Sequence, residues 1–126
     1  MALVGRFGPP LALMALIFFL SAQPNLGTGL GVWDTVLRKL AHMTVYGVLW
    51  FLWWRALGYG HPAPAVAITL AYAISDELHQ AAVAGRHGSP WDVAIDALGV
   101  GLAGLAVVLY DRRVRGTPRA SRVPWR

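Results

Sequence analysis

Asp76, Glu77 and Gln80 follow directly on an apolar run, residues 63–75, that carries no charge. Two adjacent carboxylates at such a place need a reason. An ionisable group at membrane depth costs several kcal/mol unless it is paired, solvated or used. Two more constellations repeat the pattern. Lys39, His42 and Tyr46 are spaced three and four, so one helical stripe carries an ammonium, an imidazole and a phenol. Asp92, Asp96 and Gly99 share a second stripe at four and three. Ser21 and Gln23 follow the first apolar run of the chain, and Arg86 and Ser89 lie between Gln80 and Asp92.

These residue types suit acid–base chemistry beside an anion-binding set. His42, Asp76 and Glu77 are the candidate catalytic groups, tuned by neighbouring charge and partial desolvation. Lys39 and Arg86 can hold a phosphate or carboxylate, Arg86 in a bidentate manner. Ser21, Gln23, Tyr46, Gln80, Ser89, Asp92 and Asp96 complete the candidate substrate-binding set. A plainer alternative is mutual pairing, in which Lys39 and Arg38 neutralise Asp76 and Asp92 and the cluster only staples helices together. Against it, Asp34, Asp76, Glu77, Asp92 and Asp96 exceed what clamping requires, and buried polar clusters are a costly way to hold helices. The carboxylates, with His42, are also hard ligands suited to a divalent metal. Their spacing matches no established metal motif, so no metal and no other cofactor is assigned.

The elements that must position these groups read as membrane helices. Of 126 residues, 56% are hydrophobic and only 13% charged, with a mean hydropathy of +0.50, too little charge to cover a soluble domain. A span needs about 20 mostly apolar residues. Four candidates run from about Pro9 to Ala22, Thr35 to Leu57, Ala63 to Ala82 and Trp91 to Tyr110, with Pro9 and Pro10 placed in a first turn. Gly-rich or Pro-rich turns separate them. Trp50, Trp53 and Trp54 ahead of Arg55 read as an interfacial aromatic belt. Gly99, Gly101 and Gly104, with Ala97 and Ala103, read as a packing face. His61 and His87 read as loop residues, and His79 as an exposed residue at headgroup level.

The sequence holds no cysteine, which excludes disulfides, thiolate metal sites and thiol nucleophiles. No phosphate-cradling glycine loop and no hydrolase or kinase signature is present. Six of the eleven basic residues fall in 112–126, a basic tail abutting a span, so anionic headgroups rather than nucleic acid are its expected partner. With both termini inside, eight basic residues lie on the cytoplasmic side and three outside, which favours the N-in, C-in orientation. The polar ends of all four spans then face outward together. Arg6 and residues 11–20 resemble a signal peptide, but no small residue stands three places before a cleavage site at Ala22.

The ordered set Ser21-Ala-Gln23, Lys39-xx-His42-xxx-Tyr46, Asp76-Glu77-xx-Gln80 and Gly85-Arg86-xx-Ser89-xx-Asp92-xxx-Asp96 resembles the VanZ-like integral membrane proteins of bacteria. The resemblance covers about residues 8 to 110. Two departures are Asp96, where many relatives carry asparagine, and Ala82-Val83-Ala84, where relatives usually have a bulkier stretch. The resemblance implies an all-α, four-helix, multi-pass protein of the bacterial plasma (inner) membrane. Residues 1–111 would form the membrane domain and 112–126 a disordered cytoplasmic tail. It also implies an association with low-level teicoplanin resistance. Three functions fit the residues: an enzyme acting on a cell-envelope lipid or lipid-linked cell-wall substrate, a module that binds or shields such a molecule, and a small transporter. The oligomeric state stays open.

Overall fold

A computed structural model describes residues 2–22, 29, 31–83 and 88–115, and among these the regular structure is entirely α-helical. The helices are α1 (Leu3–Ser21), α2 (Val32–Ala56), α3 (Ala63–Ala82) and α4 (Pro90–Arg115). The all-α expectation holds, and α3 has the bounds read from the sequence.

α1 corrects the sequence reading. It begins at Leu3, so Pro9 and Pro10 lie inside the helix rather than in its first turn. Proline has no N–H, and Pro9 therefore leaves the Gly5 carbonyl without its usual donor four residues on. The Arg55 guanidinium supplies one instead, with Nη1 3.4 Å from Gly5 O. In return Arg6 of α1 donates to Ala56 O at the end of α2, from Nε at 3.0 Å and Nη2 at 2.6 Å. Two arginines that look like simple membrane anchors thus brace α1 against α2. The α2 terminus is further closed by Gly58 at φ +83°, whose N–H donates to Arg55 O while the Tyr59 N–H reaches Trp54 O. This is the double bond of a Schellman cap, which needs a left-handed residue at that place. α4 continues through Arg115, one turn into the stretch read as a tail. Residues 116–126 lie outside the described residues.

The helices alternate in direction. α1 and α3 run parallel, since the Tyr72 hydroxyl donates to Met14 O and Gln80 reaches Ser21. α2 and α4 also run parallel, with Lys39 beside Asp92 and His42 beside Asp96. α2 and α3 form the centre and touch both flanking helices, whereas among the described residues α1 and α4 make no contact. The core joins Ile17, Tyr46, Leu49, Trp50, Ala73 and Val100.

This layout explains the composition of each helix. α1 and α4 are each long and apolar enough to cross a membrane, and most of their span surface is exposed. Leu11, Phe18 and Phe19 on α1 and Leu98, Leu105 and Leu109 on α4 all point outward. Apolar surface left outside a bundle calls for lipid rather than water. The ionisable residues of the site lie instead on the faces that α2, α3 and α4 turn toward one another, with Lys39 and His42 on α2, Asp76 and Glu77 on α3, and Asp92 and Asp96 on α4. Trp50 corrects the aromatic-belt reading. It lies four residues beyond Tyr46 on the inward stripe and is buried, while Trp53 and Trp54 are half-buried nearer the bundle end.

Candidate functional site

The site begins with a backbone contact. A Cβ on Gly99 would collide with the Met43 main chain, and one on Gly47 would lie 3.0 Å from Gly99 O and 3.2 Å from the Ala103 Cβ. α2 and α4 therefore touch where each lacks a side chain, as small residues allow in packed helices. The small-residue face read on α4 serves packing at Gly99 and Ala103. A Cβ on Gly101, by contrast, would meet nothing within 4 Å.

That contact sets two polar stripes edge to edge. At the mouth, Lys39 Nζ lies 3.3 Å from Asp92 Oδ1, both part-exposed. One turn deeper, His42 Nδ1 lies 3.0 Å from Oδ1 of the fully buried Asp96. With a carboxylate as acceptor, Nδ1 carries the hydrogen of this bond. Deeper still, the Tyr46 hydroxyl donates to Asp76 Oδ2 at 3.0 Å. Gln80 Nε2 donates to the same oxygen at 3.1 Å and reaches Ser21 Oγ at 3.4 Å. Glu77 Oε2 accepts the Ser89 N–H at 3.0 Å. Gly88 makes this last bond reachable, because its missing Cβ lets the chain lie against the last turns of α3, beside Glu77 O and Ala81.

Asp76, Glu77 and Asp96 follow one rule. Each has one oxygen held by a partner, while the other is buried with none: Asp76 Oδ1, Glu77 Oε1 and Asp96 Oδ2. All three residues are at least nine-tenths buried. Buried polar atoms are rarely left unpaired, because the desolvation cost is not recovered. Among the described residues, His42 is the one basic group in an ion pair with any of the three. One ligand atom each from His42, Glu77 and Asp96 can be chosen so that all lie within 4.8 Å of one another.

A groove of about 280 Å³ lies between α1 and α2 and reaches the cluster at Ser21, His42 and Tyr46. Ile17, Leu20, Leu37 and Val45 make its walls, while Ser21, Asp34, Arg38, His42 and Tyr46 give it polar points.

Of the residues singled out from the sequence, Ser21, Lys39, His42, Tyr46, Asp76, Glu77, Gln80, Ser89, Asp92 and Asp96 come together at one end of the bundle. Gln23 and Arg86 lie outside the described residues. Ser89 takes part through its backbone N–H, while its hydroxyl accepts the Trp91 N–H at the start of α4. Asp76 takes neutral partners in place of the cation that mutual pairing would supply. His79 stacks on Phe18, with ring centroids 4.4 Å apart, rather than standing free. His61 behaves as a loop residue, its Nδ1 accepting the Ala63 N–H. Sequence reasoning missed Gly47 and Gly88. For Gly47 a signal was present, since it follows Tyr46 directly and stands four residues beyond Met43.

Fold and site together define an all-helical membrane protein with a buried carboxylate–imidazole cluster at one end of its bundle. A family model described as VanZ/LLP1 matches residues 9–111, and the chain belongs to that family. The match spans the whole cluster from Ser21 to Asp96. No curated protein and no solved structure matches the chain.

Proposed function

We propose that the chain is a four-span protein of the bacterial plasma (inner) membrane, N-in and C-in, whose outward-facing cluster takes up a cell-envelope lipid or lipid-linked cell-wall substrate and acts on it. The observation that carries this reading is the groove: a mostly apolar cavity beside α1 whose lining includes His42 and Tyr46. An amphiphile matches that lining, with its chain along Ile17, Leu20 and Val45 and its headgroup against the polar end. Binding sites are commonly apolar clefts with a few placed polar groups.

In this reading His42, held by Asp96, and Glu77, held by the Ser89 N–H, exchange protons with the headgroup. Asp76 takes part through its free oxygen while Tyr46 and Gln80 hold the other. Lys39 and Arg86 attract an anionic group, and the basic tail meets anionic headgroups on the inner face. A role in teicoplanin resistance rests on the family association. The mostly apolar walls also favour a second reading, a module that binds the same amphiphile without turnover.

The experiment is lipid profiling and teicoplanin susceptibility in a susceptible host expressing the wild type, His42→Ala or Glu77→Gln. Catalysis predicts that the wild type changes the lipid pool and both variants lose that change while a photoreactive lipid still labels them. If the variants keep full activity, the acid–base roles of these residues fail. Labelling without any change in the lipid pool identifies the binding module.

A further inference from the structure

We propose that His42, Glu77 and Asp96 bind one divalent transition-metal cation of the Mn²⁺ or Zn²⁺ class, each ligand coming from a different helix. The inference deepens the functional reading above, resting on its assignment of this cluster as the working site and giving His42 and Glu77 coordination in place of proton exchange, yet its test needs no lipid.

Geometry comes first. The three ligand atoms already lie within 4.8 Å of one another. Metal–ligand bonds of about 2.0–2.2 Å set neighbouring donors about 3–4 Å apart. A closure of roughly 1 Å, within the reach of side-chain rotation, completes such a shell. One imidazole and two carboxylates suit a borderline or hard divalent ion better than a soft one.

The unpartnered oxygens are the second, independent observation. Glu77 Oε1 and Asp96 Oδ2 are buried without a hydrogen-bond partner in residues only 6% and 0% exposed. The other oxygen of Glu77 is held by the Ser89 N–H, and that of Asp96 by His42 Nδ1, a contact whose shared hydrogen the ion displaces on binding. The division at Glu77 fits a ligating carboxylate, in which one oxygen is oriented by the protein and the other is offered to the ion. Charge points the same way. Asp76, Glu77 and Asp96 are all buried, and among the described residues His42 is the one basic group paired with any of them. A bound dication supplies the positive charge that Lys39, committed to Asp92 at the mouth, does not.

The test uses the full chain, purified in lipid nanodiscs with a tag that contains no histidine. The protein is stripped with chelator, equilibrated with micromolar MnCl₂ or ZnCl₂, and analysed for bound metal. About one ion per chain is expected, with at least tenfold weaker binding in Glu77→Gln and Asp96→Asn and unchanged binding in His79→Ala. Should the first two variants not fold, the wild type decides alone, because pulsed electron paramagnetic resonance of bound Mn²⁺ must show coupling to an imidazole ¹⁴N. Substoichiometric metal at saturation, no ¹⁴N coupling, or equal binding by folded Glu77→Gln and Asp96→Asn overturns the proposal. Metal bound as expected by a protein that neither labels with nor converts lipid leaves this site standing and removes the lipid reading. Lipid conversion by metal-free protein does the reverse.

Discussion

Gly99 backs onto the main chain of Met43, so α4 and α2 meet backbone to backbone immediately beside His42 and one turn beyond Asp96. The polar stripes of two parallel helices are drawn together by this contact, and the pairing of half-buried His42 with buried Asp96 depends on it. A separation even slightly larger would leave Asp96 buried without His42, an outcome worth several kcal/mol of destabilisation.

Glycine substitutions on α4 should therefore diverge sharply. Gly99→Ala forces the helices apart and should cost about 3–5 kcal/mol, because the overpacking also strands Asp96 from His42. Gly101→Ala meets no neighbouring atom. It should be neutral or raise stability by up to about 1 kcal/mol through helix propensity. Thermal unfolding followed by tryptophan fluorescence compares the two, and equal stabilities would contradict the close contact.

Asp76 Oδ2 receives both Tyr46 and Gln80, so these two side chains should be coupled. Tyr46→Phe and Gln80→Met are each expected to cost about 1–2 kcal/mol, because each removes a donor from a buried acceptor. The double variant should depart from the sum of the singles by at least about 0.5 kcal/mol. A double-mutant cycle on unfolding in detergent measures this, and strict additivity would show that the shared oxygen does not link them.

The polar stripes were legible because helical periodicity alone places Lys39, His42 and Tyr46, or Asp92, Asp96 and Gly99, on one face. Which faces meet was not. Nothing in the spacing pairs His42 with Asp96 rather than Asp76, since that choice is made by the glycine contact between helices distant in sequence. Proline misled the reading of α1 for a related reason. Pro9 and Pro10 suggest a helix start when only local hydrogen bonding is considered, yet a guanidinium from α2 compensates the lost donor. Trp50 reads as interfacial only because Trp53 and Trp54 stand beside it in sequence, whereas its spacing from Tyr46 puts it on the inward stripe.

The arginine brace predicts a rescue. Arg55→Ala leaves Gly5 O without its side-chain donor and should lower stability by up to about 1 kcal/mol. Pro9→Ala restores a backbone N–H four residues beyond Gly5, so Arg55→Ala should cost less in that background than in the wild type. Arg6→Ala removes both donors to the Ala56 carbonyl and should cost about 1–3 kcal/mol in either background. Unfolding of the single and paired variants checks both statements. An undiminished Arg55→Ala penalty beside Pro9→Ala would mean that Arg55 acts elsewhere.

Sidedness can be decided with single cysteines, because the chain has none of its own. In the proposed orientation Arg6, Arg55 and the tail arginines face the cytoplasm, and the alternating helix directions then carry the His42–Asp96 end outward. Asn25→Cys and His87→Cys should accordingly react in intact cells with a membrane-impermeant maleimide, whereas His61→Cys in the α2–α3 turn should react only after permeabilisation. The reverse pattern would turn the cluster toward the cytoplasm. It would then move the expected substrate from the outer leaflet to the inner one, while leaving every contact among His42, Glu77 and Asp96 as described.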